Sequence, residues 1–155
     1  MNELHLFVDN DVMRVTLRGV PDHPGVAAEV FSALGDLGLN VDLVVASGRS
    51  DQRADISVAV QDSHRIQVVA ALKDLAPRIG AVDTLYDMEV ALVGLAGADL
   101  APQPGVAGRV FRAISKKGIN IELISTSLSS VLCLINRSWL EYAEEAIREE
   151  FGLAR

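Results

Sequence analysis

The chain has 155 residues, of which 50% are hydrophobic and 23% charged, with a formal net charge of −7 and one cysteine. This length allows one ordinary domain or two very small ones, and the apolar share is enough for a packed core. The acidic balance argues against nucleic acid, which needs a cationic face. No apolar run reaches the roughly 18 residues of a membrane span, and the N-terminus lacks a signal-peptide pattern. A single cysteine excludes an internal disulfide and fits the cytoplasm.

The first half of the chain reads as alternating strands and amphipathic helices. Gly38 is expected to end the first helix, and Ser63 is expected to cap the second. The inward face of the second helix is predicted to carry Ile66, Val69, Ala70 and Leu72. The order βαββαβ is the ferredoxin-like pattern. The predicted strands lie at 12–18, 40–46, 54–60 and 81–87, and the helices at 24–37 and 64–76.

An internal repeat links the two halves of the chain. Residues 24–44 align with residues 104–124 at an offset of 80 without a gap, and ten of the 21 positions are identical. Five more positions exchange only Leu, Ile and Val, or Asp and Glu. Such similarity indicates a duplicated module.

The second copy lacks a fourth strand. Its last helix is expected to have Ser138 as N-cap and an inward face of Leu140, Ala143, Ala146 and Ile147. The segment 3–8 is a spare strand that the first module does not need. We therefore predict an α+β protein of two ferredoxin-like βαββαβ modules, the second completed by the N-terminal strand. The predicted domains are 9–88, and 89–155 together with 3–8. Within the second copy, strands are predicted at 89–95, 119–124 and 130–135, and helices at 104–117 and 138–150.

The turn Gly19–Ala27 is the candidate binding element. Pro24 suits the first turn of a helix, where its missing N–H costs nothing. Gly25 lets a ligand approach the backbone, and a helix start offers an anion free N–H donors. Asp22 adds one carboxylate for a cation. A free amino acid carries both charges, so this turn matches one.

These residues resemble a known family. The segment Gly19–Ala27, followed by Gly38-Leu-Asn-Val-Asp-Leu43, is similar to an ACT domain. The segments 104–107 and 118–127, the latter ending in Ile-Ser-Thr-Ser, resemble the second ACT domain of an aspartokinase regulatory region. The resemblance implies an amino-acid effector such as lysine or threonine, bound between ACT domains and often at a homodimer interface. It also implies control of an amino-acid kinase domain, whose glycine-rich nucleotide loop is not in this sequence.

The resemblance assigns possible ligand contacts. Asp22 would hold the ammonium group, and the backbone around Pro24 would hold the carboxylate. Asp22 could instead be only a helix cap, the asparagines could serve turns, and the serines could be ordinary strand residues. Aspartokinases usually carry glutamine where this chain has Ala46, and the second turn has no aspartate before its proline. The candidate ligand-binding residues are Asp22, Pro24, Gly25, Val26, Ala27, Asn40, Asn120, Ile121, Ser125, Thr126 and Ser127.

No catalytic, metal or cofactor site is indicated. His5, His23 and His64 are scattered without metal-ligand spacing, and Cys133 lies in an apolar strand. The leading hypothesis is an allosteric amino-acid-binding regulator of the aspartokinase type. One alternative is a free-standing double-ACT protein that acts through another protein partner, like the glycine cleavage regulator. Another is a catalytic subunit, which would show turnover in isolation.

Overall fold

The computed structural model describes residues 4–39, 41, 43–48, 51–98, 100 and 104–155. Within these residues, backbone contacts divide the chain into two modules. The first module runs from Asp11 to Met88, and the second combines the segment ending at Asn10 with Glu89–Arg155. The second module therefore draws on both ends of the sequence.

Each module contains strands and helices in the predicted order. Short 3₁₀ turns at Asp62–His64 and Arg137–Trp139 precede the second helix of each module. The elements are β1 (His5–Asp9), β2 (Met13–Pro21), α1 (Val26–Asp36), β3 (Leu43–Gly48), β4 (Arg53–Val60), α2 (Arg65–Arg78), β5 (Asp83–Asp87), β6 (Val90–Ala96), α3 (Val106–Lys116), β7 (Leu123–Thr126), β8 (Ser130–Asn136) and α4 (Leu140–Phe151).

The first module has an antiparallel sheet of order β3-β4-β2-β5. Alternation along β2 places Met13, Val15 and Leu17 on the core face, where they pack with apolar residues of α1 and α2. Each of these three side chains is at most 2% exposed. The period-two pattern of the sequence therefore sets the face on which the helices pack.

The second module has an antiparallel sheet of order β1-β6-β8-β7. Strand β1 pairs with β6 from His5 opposite Ala96 to Asp9 opposite Leu92. The prediction that an N-terminal strand completes the second sheet is confirmed. Both sheets have the strand order of the ferredoxin-like fold, so the predicted fold class is confirmed as well.

The predicted inward face of α4 is confirmed, since Leu140, Ala143, Ala146 and Ile147 are all buried. The predicted inward face of α2 is wrong at two of its four positions. Ile66 is 83% exposed and Ala70 is exposed, whereas Leu72 is buried. The helix continues to Arg78, so a longer row of apolar residues packs against the core instead. That row consists of Val68, Leu72, Leu75 and Ala76.

The two predicted serine caps are wrong. Helix α2 begins at Arg65, and the Ser63 backbone N–H and Oγ donate instead to the Asp11 carboxylate, at 2.8 and 2.9 Å. The Ser138 N–H and Oγ similarly donate to Oδ1 of Asn136, at 2.9 and 2.7 Å. Each serine lies in the middle of a 3₁₀ turn, so the α-helix begins two residues after it.

The boundaries of the repeated segment also differ from the prediction. Helix α1 begins at Val26, two residues beyond Pro24, and it ends at Asp36 rather than at residue 37. Strands β3 and β7 begin only at Leu43 and Leu123. The sequence pattern predicts these elements but not their first residues, because the connecting turns also contain apolar residues.

Gly94 in β6 marks a close backbone approach. A Cβ atom there would overlap the carbonyl oxygen of Val131 on β8. We predict that Gly94→Ala lowers the free energy of unfolding by about 1–3 kcal/mol, measured by denaturant titration. The control is Gly108→Ala, at an exposed position of α3 with open space around the new methyl group. This change should raise the free energy of unfolding by about 0.5–1 kcal/mol. An unchanged midpoint for Gly94→Ala would contradict this packing.

Candidate functional site

The candidate site is the turn between β2 and α1. The backbone N–H of Asp22 donates to the Gln52 carbonyl at 3.0 Å, which ties the turn to the start of β4. The His23 N–H donates to the Pro21 carbonyl at 3.1 Å. Every residue from Asp22 to Gly25 is exposed. The turn is thus anchored by its backbone while its side chains face solvent.

Glycine is required at the end of this turn. Gly25 adopts φ = 96°, a left-handed conformation, directly before the first residue of α1. Gly105 adopts φ = 86° at the same place before α3. Another residue type would hold such a conformation only at a cost of roughly 1–3 kcal/mol. The repeat has therefore kept one backbone device at both helix starts, and residues 101–103 of the second turn lie outside the described residues.

The first turn of α1 leaves backbone donors unused. The earliest helical N–H to reach a carbonyl at ordinary distance is that of Glu29, which donates to Gly25 at 3.1 Å. Among the described residues, no acceptor is found for the backbone N–H of Ala27 or Ala28. Such N–H groups attract a negatively charged group to a helix start.

The Asp22 side chain does not cap α1. The N-cap position belongs to Gly25, and within the described part of the chain the Asp22 carboxylate forms no hydrogen bond or ion pair. The interpretation of Asp22 as a helix cap is therefore wrong. An exposed carboxylate without a partner is available for an external cation.

Residues of β4 brace the turn, and sequence reasoning missed them. Oδ1 of Asp55 accepts a hydrogen bond from the Gly19 N–H at 2.9 Å, and Arg53 donates to the Gly19 carbonyl. Arg53 also donates to the carbonyl of Gly80 at 3.3 Å. The available signal was a pair of opposite charges opening an otherwise apolar strand.

The remaining predicted contacts of the first module are placed as follows. Val26 is buried at 5% exposure, and Ala27 is exposed. Asn40 lies outside the described residues. Ala46, where a glutamine was expected from the resemblance, is exposed on β3. Asp22, Pro24 and Gly25 thus lie in the turn, and Val26 and Ala27 are the first two residues of α1.

The predicted contacts of the second module follow α3. Asn120 is exposed and Ile121 is half-buried, and both precede β7 rather than lying in it. Ser125 and Thr126 end β7. Ser127 belongs to the following turn, where its Oγ lies 2.9 Å from Oγ of Ser130 and accepts from the Ser129 N–H at 3.2 Å.

Cys133 is a core residue of β8. Its side chain is fully buried among apolar residues of the second module. Burial raises the pKa of the Cys133 thiol to about 12, because the charged thiolate would lose its hydration. The group is therefore neutral near neutral pH, which agrees with the expected structural role.

The described residues show neither a metal centre nor a membrane-spanning helix. No group of three His, Cys, Asp or Glu side chains converges as metal ligands there. Across the same part of the chain, the helices are all too short or too polar to span a bilayer.

Comparison with known proteins gives matches over both modules. A family model described as an ACT domain matches residues 15–77, and a second model of that description matches residues 93–151. The aspartokinase of Mycolicibacterium smegmatis is 37% identical over 147 residues, covering 94% of this chain and 35% of that protein. The aspartokinase of Pseudomonas aeruginosa is 34% identical over 145 residues, with the same two coverages. The chain thus spans about a third of the length of these curated relatives.

A solved structure matches over nearly its whole length. The ligand-free regulatory subunit of aspartate kinase from Thermus thermophilus has a TM-score of 0.87 and 30% sequence identity. The match covers 94% of this chain and 96% of that one. The similarity therefore extends over both modules and their order.

Cys133 gives a test of the second core. An exposed cysteine has a pKa of roughly 8.5, so it reacts quickly with iodoacetamide at pH 9. We predict that Cys133 in the native chain stays unlabelled at pH 9, because its thiolate forms only as the pH approaches about 12. In urea the same residue should label fully within minutes. Because the pKa is raised in the folded chain, the free energy of unfolding falls as the pH rises above the pKa of an exposed thiol. Equal labelling of native and unfolded chains would contradict the described burial.

Proposed function

Because this chain belongs to the aspartokinase family as a regulatory region of two ACT domains, we propose that it senses a free amino acid and controls a kinase domain. The effector is an end product such as lysine or threonine. The regulated kinase domain is either fused to this region, as the relative lengths of the curated aspartokinases suggest, or carried by a separate chain. The setting is the cytoplasm, where amino acids are made.

The observation that carries this proposal is the pairing of charges at the first turn. The Asp22 carboxylate is exposed and unpartnered among the described residues, and unused N–H groups of Ala27 and Ala28 lie a few residues on. A free amino acid has one ammonium and one carboxylate on the same carbon. Charge-assisted hydrogen bonds to the two groups contribute roughly 1.5–3 kcal/mol each, and together they correspond to a dissociation constant between roughly millimolar and tens of micromolar.

Several further residues shape the proposed site. Pro24 and the left-handed Gly25 end the turn, and the buried Val26 fixes the helix start in the core. Asn40 offers an amide to the ligand. A second copy would complete the site in a homodimer, with the segment from Asn120 and Ile121 through Ser125, Thr126 and Ser127 as the facing surface.

Control of a kinase follows from differential binding. If the effector binds one arrangement of the regulatory region more tightly, it shifts the population toward that arrangement. A coupling of roughly 1–3 kcal/mol changes the population ratio of the two arrangements 5- to 150-fold. Aspartokinases usually carry glutamine where this chain has Ala46, which offers only a methyl group. Recognition of the effector therefore depends more on Asp22.

Asp22 is the residue to test. We predict that lysine, threonine or methionine at 100 times its dissociation constant stabilises the wild-type chain by roughly 2.7 kcal/mol and raises its melting temperature by roughly 2–8 °C. Asp22→Ala and Asp22→Asn should abolish this shift without changing the melting temperature of the free chain. The matched control is Asp74→Asn, which removes an exposed carboxylate of α2 that pairs with Arg78. A full shift in the Asp22 variants would show that the amine is held elsewhere.

A further inference from the structure

Strand β2 contains a β-bulge just before the candidate turn. Its pairing with β4 shifts register between Leu17 and Val20, so two residues, Arg18 and Gly19, lie opposite the single residue Asp55. Gly19 adopts φ = 61°, a left-handed conformation. A bulge bends its strand and re-aims the residues that follow it. The residues that follow this bulge form the turn between β2 and α1.

The bulge leaves Gly19 without a strand partner, and two side chains of β4 take that place. Gly19 is paired with neither β4 nor β5. Its N–H donates to Oδ1 of Asp55 at 2.9 Å, and its carbonyl accepts from the guanidinium of Arg53. Because Gly19 is buried, these two side chains satisfy backbone groups that would otherwise lose their hydrogen bonds to water.

Arg53 also reaches the connection between α2 and β5. Its guanidinium donates to the Gly80 carbonyl at 3.3 Å. Gly80 has φ = 77°, and a Cβ atom there would lie 3.1 Å from Cγ of Pro21. This connection therefore packs directly against the residue that precedes Asp22, and Arg53 holds the two segments together.

The residue that anchors Asp22 is itself strained. Gln52 has φ = 61°, and within the described part of the chain it is the one non-glycine residue with a left-handed φ. Its carbonyl accepts the Asp22 N–H at 3.0 Å. Oδ1 of Asp51 accepts the Arg53 N–H at 3.2 Å, which closes a tight turn around Gln52. Backbone strain persists where surrounding contacts enforce it, and it clusters at ligand-binding sites.

The second module does not repeat this arrangement. Strands β6 and β8 pair without a register shift from Val90 opposite Asn136 to Ala96 opposite Ser130. Strand β8 contains no charged residue that could take the place of Arg53. The bulge and its charged supports thus occur in the module that carries Asp22.

We propose that Arg53 and Asp55 are positioning residues of the effector site. By holding Gly19 they set the direction of the turn, and with it the distance between the Asp22 carboxylate and the unused N–H groups at the start of α1. An α-amino acid holds its ammonium and carboxylate a fixed distance apart, so it binds more tightly to a site whose two charges are already held at the matching distance. The inference rests on the proposed function and names residues that act on the effector through the backbone.

Two substitutions at Asp55 separate positioning from the loss of a charge. Asp55→Ala removes the acceptor for the Gly19 N–H, whereas Asp55→Asn keeps an oxygen at that position. Calorimetric titration with lysine, threonine and methionine should show that Asp55→Ala raises the dissociation constant of an amino acid bound by the wild type on the order of 10-fold. Asp55→Asn should bind nearly as tightly as the wild type.

Arg53→Met is a second, independent variant. It removes the donors to the Gly19 and Gly80 carbonyls but keeps an unbranched apolar stem, and it should weaken binding to a similar extent. The matched control is Arg65→Met, which removes an arginine that pairs with Asp62 through two hydrogen bonds elsewhere in the module. This control should bind amino acids as the wild type does.

A destabilised variant separates positioning from stability. Val60 is fully buried at the opposite end of β4 from Arg53, so Val60→Ala should lower the melting temperature without changing the dissociation constant. In the free chain, hydrogen exchange measured by NMR should show that the Asp22 amide loses protection in Asp55→Ala and keeps it in Asp55→Asn.

The outcomes distinguish this inference from the proposed function. Positioning by Arg53 and Asp55 is overturned if the wild type binds an amino acid and Asp55→Ala and Arg53→Met bind it equally tightly. It is also overturned if Val60→Ala weakens binding as much as Asp55→Ala does, because the effect would then follow stability alone. A wild-type chain that binds none of the three amino acids overturns the proposed sensing and this role with it.

Discussion

The structure depends on the pairing of β1 with β6. Without β1, the central strand β6 would become an edge, with the row of N–H and C=O groups opposite His5–Asp9 left unpaired. The partner of that edge comes from the other end of the module's sequence, since the first module is inserted between β1 and β6. Closing this sheet therefore requires the whole intervening module to have its ends close together, which its antiparallel sheet allows with β2 and β5 as neighbours.

Much of this architecture could be predicted from the sequence because the duplication shows the same pattern of strands and helices twice. The repeat fixed the element order, and the missing strand of the second copy pointed to residues 3–8. The errors have one cause, which is that local patterns compete. Apolar residues occupy more than one face of α2, so the local pattern predicts Ile66 in the core. In the structure, the longer apolar row through Leu75 packs there instead. Ser63 and Ser138 have good capping chemistry, but nearby side-chain acceptors at Asp11 and Asn136 engage them first.

The sequence indicated the turn that forms the candidate site but not the contacts that support this turn. The Pro-Asp-His-Pro-Gly segment indicated a carboxylate beside a helix start, and the structure shows that this carboxylate does not cap α1. The tie from Asp22 to Gln52 and the bracing of Gly19 by Asp55 depend on tertiary contacts across the sheet, which no local pattern encodes. The two copies share the left-handed glycine and the helix but differ in chemistry. Asp22 has no counterpart in the second turn, and the charges of Glu29 and Asp36 on α1 are reversed at the equivalent positions of α3.

Calorimetric titration of the wild-type chain with free lysine, threonine and methionine tests the central claim most directly. The account predicts saturable binding of at least one of them, with heat that disappears when Asp22 is replaced by alanine. Absence of binding heat from all free amino acids at millimolar concentration would contradict amino-acid sensing by this chain.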